Sequence, residues 1–378
     1  MVDEVPPITI SELVKLTDLD VTPDQITWSR VTMTSDKWIC IRHDRGGKQS
    51  ASKSRKEKGD SKSIQYFATV FTPFANQNPQ TWSVRAESML MNPQLPILAL
   101  KAKKKVEVFN VESRSLLRTA ELANDISFWT WATADVIALV TESAVYHWSL
   151  HSDLKDPELV FMRHSRLNYS EIISYKTDSS LKWCALTGLL PEDTSICGVT
   201  QLFSKENGIS QCIPAHAVSF TRYKFDWNIF PSTVMCVASR DAQYGKFHVV
   251  ELGPHNPSNM ALTSPCDVIQ YPDLSDKYDF PVQIHASSDL GLVYVTSKYG
   301  RLFICDLETS CYLGAIPIST DVVFASALNT QTQGLISITT DGRVLCTDVK
   351  KEALVNYVRD VARKPFVAAR LEKTLAKL

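Results

Sequence analysis

The chain has 378 residues, 44% of them hydrophobic, which suits a folded protein with a large buried core. A formal net charge of −1 and an isoelectric point near 6.7 exclude the basic balance of a bulk nucleic-acid binder. No apolar run reaches the roughly 18 residues of a membrane span, and the acidic opening MVDEVPPITI lacks the apolar core of a secretory leader.

In chain order, residues 7–16 form one short alternating run with no partner nearby in sequence. Such a strand is expected to close a ring by pairing with the far end of the chain. One pattern then appears seven times: a short apolar strand, a polar turn, and a second strand. The copies are KWICIR…SIQYFATVF, ILALKAKKKVEVFNV, VIALVTESAVYHWSL, KWCALTGLLPEDTSICGVTQLFS, VMCVASRDAQYGKFHVVEL, LVYVTSKYGRLFICDL and LISITTDGRVLCTDV. The second strands start near residues 64, 106, 145, 199, 247, 302 and 344. A repeat of about 40–55 residues built from strands is the signature of β-propeller blades. The predicted architecture is therefore all-β: a seven-bladed propeller over residues 1–350. Trp38, Trp129, Trp131, Trp148 and Trp183 are expected between blades as core.

The second copy carries the first functional signal. Ile97–Leu100 is an apolar strand, Lys103–Lys105 mark a turn, and Val106 and Val108 resume the alternation with Glu107 facing the other way. Phe109 breaks that alternation and points to an edge or groove. Within the first copy, DRGGKQSASKSRKEKGDSKS (44–63) has no apolar period and reads as a solvated loop between strands. A tolerated surface insertion accounts for it more simply than a basic anion-binding patch.

From Lys351 the apolar spacing turns helical: Leu354, Val358 and Val361, then Val367, Leu371, Leu375 and Leu378, with Pro365 between the two pieces. Residues 351–378 are predicted to be a short α-helical linker segment leaving the propeller. With no Gly or Pro stop signal, the helical region is expected to continue in a longer chain.

Enzyme chemistry finds no support. There is no P-loop, G-x-G-x-x-G, H-E-x-x-H or G-x-S-x-G. The eight histidines are dispersed and read as satisfied structural groups, and no spacing suggests a metal site. Asp125, Asp306 and Asp341 sit where acidic residues cap turns. The nine cysteines include no C-x-x-C, and most lie in or beside apolar runs. They read as reduced thiols of a cytoplasmic protein. The expectation is a non-enzymatic binding scaffold without cofactor or metal.

The stretches TMTSDKWICIR, LMNPQLPILALKA, FWTW, IALVTESAVYHWS, YKTD, KWCALTG, HAVSF, DFPV and TSKYGRLFICDLET resemble the N-terminal domain of clathrin heavy chains along nearly the whole chain. The resemblance implies a seven-bladed propeller followed by a helical linker, at the foot of a coat protein's leg. It implies capture of short linear motifs of endocytic adaptors, with membranes reached only through those adaptors. Light-chain binding and trimerisation would involve regions outside these residues. It also implies a groove between blades 1 and 2 for clathrin-box peptides, at Trp82, Val84, Leu98, Lys105, Glu107, Phe109, Arg114 and Leu116. There Leu98, Val84 and Phe109 would take peptide leucines, and Arg114 an acidic residue. A top pocket for tryptophan motifs would use Trp28, Glu171, Ile173 and Leu189. A groove between blades 4 and 5 would use Trp183, Asn207, Ile209 and Gln211. A fourth position near Ile10 and Glu12 is less defined.

The chain departs from the family pattern. Leu116 stands where a lysine is usual, Glu107 for glutamine, Lys105 for threonine and Trp82 for an arginine. Trp28 replaces phenylalanine, and Asn207 replaces a basic residue. Lys105, Arg118 or Arg85 are then candidate substitute charges at the first groove. Two readings follow: an adaptor-binding propeller of a clathrin-like coat, or a general propeller scaffold with altered or lost clathrin-box binding.

Overall fold

The computed structural model describes residues 7–44, 65–74, 79–192, 195–241, 244–254, 267–271 and 278–377. The basic 44–63 segment, Asp44 apart, lies outside them, as do Cys266 and Leu378. Among the described residues the strands form seven four-stranded antiparallel sheets. Blade 1 is β2–β5 (Val31–Met33, Ile39–Asp44, Tyr66–Phe71, Gln80–Val84). Blade 2 is β6–β9 (Ser88–Met91, Ile97–Ala102, Lys105–Asn110, Leu116–Glu121). Blade 3 is β10–β13 (Phe128–Trp131, Val136–Val140, Ala144–Ser149, Glu158–Met162). Blade 4 is β14–β17 (Glu171–Thr177, Trp183–Pro191, Ile196–Ser204, Ile209–Pro214). Blade 5 is β18–β21 (Ala217–Tyr223, Ser232–Arg240, Tyr244–Gly253, Asp267–Gln270). Blade 6 is β22–β25 (Pro281–Ser287, Leu292–Ser297, Arg301–Asp306, Tyr312–Pro317).

Blade 7 is the closure. Its strands β26–β28 (Val323–Leu328, Leu335–Thr339, Arg343–Val349) are completed by β1 (Ile8–Lys15). β1 runs antiparallel to β28, from Ile8 opposite Val349 to Lys15 opposite Arg343. The N-terminal run thus covers an edge that would otherwise present unpaired backbone groups. The repeat visible in the sequence is the two middle strands of each blade. These pack on both faces and so read as continuous apolar runs. The first and fourth strands carry mixed residues and hide the full period.

The core is partitioned between blades. Each of seven hydrophobic clusters joins two neighbouring blades. Alternation along a strand sends successive side chains to opposite neighbours. In β7, Ile97 and Ala99 pack with Trp129, Trp131 and Trp148 of blade 3, while Leu98 packs with Cys40, Ala68 and Val84 of blade 1. The tryptophans expected in the core are there: Trp129, Trp131 and Trp148 are buried, and Trp38 and Trp183 half-buried.

The tail is helical, as α1 (Lys351–Asn356), a π-helical turn (Tyr357–Val361) and α2 (Pro365–Leu375). It does not simply leave the propeller. Leu354, Val358, Val367 and Leu371 are buried against Leu290, Leu292, Tyr294 and Leu313 of blade 6. Each such side chain contributes about 1.5–3 kcal/mol. Arg370 locks the contact: it pairs with Asp306 at 2.5 Å and donates to the carbonyls of Leu290 and Gly291, both at 3.2 Å. Asp306 also accepts from the backbone and hydroxyl of Thr309 at 2.9 and 2.7 Å, so it caps a turn as expected. Val361, placed on the apolar side by its spacing, is exposed because the π-turn shifts the helical phase.

Candidate functional site

The eight residues expected between blades 1 and 2 do converge, but at different depths. β7, β8 and β9 place Leu98 opposite Phe109, and Phe109 opposite Leu116. Residues opposite each other share a face, so all three point toward blade 1, along with Glu107 and Lys105. From the other side, β5 presents Trp82 and Val84. The alternation along β8 is intact: Phe109 is an apolar residue on the same face as Lys105 and Glu107, and the β-bulge of the β8–β9 ladder lies on β9, where Leu117 is the extra residue.

Leu98 is only 1% exposed and Val84 8%. Both are consumed by the blade interface, so they are the floor of this region and not open pockets for peptide leucines. The accessible surface is Phe109, Trp82, and Leu116 at 53% exposure. Arg114 sits in the β8–β9 turn at φ +54°, with no ion-pair partner among the described residues. Lys105 pairs with Glu107 at 2.5 Å, which raises the lysine pKa and cancels its charge locally. Arg118 is not a substitute cation for this groove. It points to blade 3, donating to the carbonyls of Ser149, Leu150, Ser152 and Leu154 at 2.7–2.9 Å and lying over Trp148. Arg85 is exposed beyond Val84.

Between blades 4 and 5 the geometry differs. Trp183, Asn207, Ile209 and Gln211, the four residues expected there, all line one open groove of about 470 Å³. On blade 4, Trp183 stands opposite Ser204, Ser204 opposite Ile209, and Leu202 opposite Gln211. Gly208, at φ +64°, closes the preceding hairpin turn and leaves Ile209 63% exposed. Asn207 Nδ2 donates to Ser204 Oγ at 3.1 Å, so this amide shapes the turn.

Sequence reasoning missed the opposite wall: Met235 and Val237 of β19, with His248, Val250 and Leu252 of β20. The signal was present. Both faces of β19 are apolar, and Val234, Cys236 and Ala238 face blade 6, which leaves Met235 and Val237 for blade 4. His248 is the one imidazole in the wall; burial first, then the Lys246 charge, lower its pKa and keep it neutral. The surface is thus an apolar trough with a few polar points, suited to an extended apolar peptide.

The top-pocket residues divide. Trp28 and Ile173 line the axial cavity. Glu171 and Leu189 face each other across the β14–β15 ladder but are not among the cavity-lining residues. Ile10 and Glu12 lie on the solvent side of β1.

Other chemistry-bearing groups are engaged in packing. His43 bonds Thr69 at 2.8 Å, His147 bonds Tyr175 at 2.7 Å, and His216 bonds the Ile196 carbonyl at 2.8 Å. The eight described cysteines are free; burial pushes Cys40 and Cys236 up to about 12. Among the described residues no group of three His, Cys, Asp or Glu could hold a metal ion. Nor is any described helix long and apolar enough to cross a membrane.

No family model matches the chain. Individual relatives do. Clathrin heavy chain 2 of Homo sapiens is 33% identical over 365 residues, covering 97% of this chain and 21% of that protein. Clathrin heavy chain of Drosophila melanogaster is 32% identical over 366 residues, with the same two coverages. Clathrin heavy chain 2 of Oryza sativa is 33% identical over 381 residues. The chain thus spans about a fifth of the length of these relatives. By fold alone, it also resembles a chain in the crystal structure of a mitotic checkpoint complex, with a TM-score of 0.56 and 12% identity over 93% of this chain and 97% of that one. The chain is a seven-bladed propeller homologous to the N-terminal part of clathrin heavy chains.

Proposed function

We propose that this propeller is the partner-reading domain of a clathrin-like vesicle coat on the cytoplasmic side of membranes. It captures short, extended, leucine-rich motifs of trafficking adaptors and performs no catalysis. The observation that carries this reading is the open apolar groove between blades 4 and 5, in a chain homologous to coat proteins. An extended peptide lying along β17 would set alternate side chains against Trp183, Ile209 and Val250. Each buried aliphatic side chain is worth about 1.5–3 kcal/mol before ordering costs. Single sites of this kind are weak, and avidity comes from several sites on an assembled coat. The blade 1–2 edge, with Phe109, Leu116 and Arg114, is a second, shallower site for motifs ending in an acidic residue. Light-chain binding and trimerisation would belong to parts of the longer protein outside these residues.

The packing of Leu98 and the Lys105–Glu107 pair favour a second reading, in which clathrin-box preference at blades 1 and 2 is altered. Fluorescence anisotropy with a labelled Leu-Leu-x-Leu-Asp peptide separates the two. Micromolar binding that Ile209→Asp and Trp183→Ala abolish supports the groove between blades 4 and 5. Loss only in Phe109→Ala and Arg114→Glu assigns the site to blades 1 and 2. No binding at all sinks the inherited motif and calls for an unbiased peptide screen.

A further inference from the structure

The connection from β18 to β19 carries the run KFDWNIFP, residues 224–231. It lies on the side of the propeller where the tail docks. Tyr223, the last residue of β18, donates its hydroxyl to Glu308 at 2.6 Å and accepts from Arg370 of α2 at 3.4 Å. Ile229 is 73% exposed and Phe230 68%, with Trp227 exposed beside them. Neither Ile229 nor Phe230 belongs to a core cluster of blade 5 or lines the groove itself.

Exposed apolar side chains on a loose loop carry little meaning, but this loop is held. Phe225 is buried, and Trp227 stacks on it with ring centroids 4.7 Å apart. Asn228 is buried; its Nδ2 donates to Glu251 Oε1 at 2.5 Å and to Ser232 Oγ at 2.9 Å. Its backbone N–H donates to the Phe225 carbonyl at 3.0 Å. A turn fixed in this way presents Ile229 and Phe230 in place, so covering them costs a partner little ordering.

The same bonds join the loop to the blade 4–5 groove. Glu251 stands between Val250 and Leu252, which line the groove from β20. Ser232 opens β19, which supplies Met235 and Val237 to that wall. Met235 is opposite Val250 and Thr233 opposite Gly253, so the wall ends level with Thr233. Phe230 is three residues further, within about 11 Å. The mouth of the groove is also cationic. Arg222 and Lys224 are exposed, and Arg222 Nη2 donates to the Pro231 carbonyl at 3.4 Å. Across the groove, in the turn before Ile209, Lys205 is exposed and makes no ion pair among the described residues, while Lys182 pairs with Glu206 at 3.1 Å. Asp226 is the exposed carboxylate of the loop.

We infer that Ile229 and Phe230, with Arg222, Lys224 and Lys205, extend the blade 4–5 groove at its tail-side mouth. The partner is an extended peptide whose apolar core is joined, across a short spacer, to one more large apolar or aromatic residue beside an acidic one. The inference rests on the groove reading above and adds the length and charge of the partner to it. It also supplies cations to a groove in which Asn207 offers none.

Fluorescence anisotropy with the whole chain tests it. The probes are Leu-Leu-x-Leu-Asp, the same peptide joined at either end through Gly-Ser-Gly to Phe-Glu, and controls carrying Ser-Gln in place of Phe-Glu. One Phe-Glu peptide is expected to bind at least about fivefold tighter than its control. Phe230→Ser and Ile229→Ser remove that gain and leave the Kd of the short peptide and the Tm unchanged. Lys224→Glu reduces the gain most at low salt. Ile209→Asp abolishes binding of every peptide. The extension alone is overturned if the short peptide binds and Ile209→Asp abolishes it, yet Phe-Glu adds nothing or its gain survives Phe230→Ser. Absence of all binding, or binding indifferent to Ile209→Asp, overturns the groove reading and the extension with it. Sedimentation velocity reads the other occupant: a wild type that dimerises where Phe230→Ser stays monomeric makes this ledge a contact between copies and overturns the peptide extension.

Discussion

Two blade interfaces built from the same repeat end up with opposite properties. Between blades 1 and 2, Met89, Met91, Leu98 and Val84 fill the space, and only the outer rim of Phe109, Trp82 and Leu116 reaches solvent. Between blades 4 and 5, the buried cluster is thinner. Trp183, Ile213, Val250 and Leu252 remain half-buried around an open trough. The lesson concerns how far out from the axis side chains close each interface. A propeller needs each interface closed near the axis, and side-chain volume decides whether the outer part closes too. One interface spends its apolar surface on stability. The other leaves part of it available to a partner.

The contrast predicts unequal costs. Leu98→Ala should destabilise the chain by about 2–5 kcal/mol in denaturant unfolding. Ile209→Ala on the open side should stay within about 0.5 kcal/mol. Equal costs would mean that both interfaces are closed in solution.

Acid should act on the closed interfaces next. Burial, and secondarily the Lys205 charge, lower His147 from 6.5 to about 4 between blades 3 and 4. The unfolded chain takes up that proton near the ordinary value and the folded chain does not. Stability is therefore full above about pH 6.5 and falls as pH drops toward 4, by up to roughly 3 kcal/mol from this group. His147→Gln should flatten that part of the pH profile, and an unchanged slope would place the sensitivity elsewhere.

The open side answers to peptide instead. Ile209→Asp and Trp183→Ala should each weaken an apolar peptide at least about tenfold, or about 1.4 kcal/mol, with little change in Tm. His248 is already neutral, so affinity should not change from pH 8 to 7. The smallest effect belongs to Arg114→Glu at the blade 1–2 rim, where exposed charges contribute about 0.2–1 kcal/mol. It should appear as a salt-dependent loss for acidic peptides only.

Much of this was legible in the sequence. The FWTW and YHW tryptophans read as inter-blade core because apolar strands surround them, and the unpartnered run at residues 7–16 announced the closure that β1 makes with β28. The four residues expected between blades 4 and 5 line one groove. The remainder depends on neighbours far apart in the chain. That Leu98 is sealed follows from blade 1 side chains and not from its own strand. The docked tail depends on Arg370 meeting Asp306, 64 residues away, which a helical period cannot reveal.

Hydrogen exchange of the whole chain with and without a saturating leucine-rich peptide tests the central claim most directly. The account predicts new protection in Ile209–Pro214 and Tyr244–Gly253, the strands that wall the open groove. Protection confined to Gln80–Val84 and Leu116–Glu121 would contradict it and return the partner site to the sealed interface.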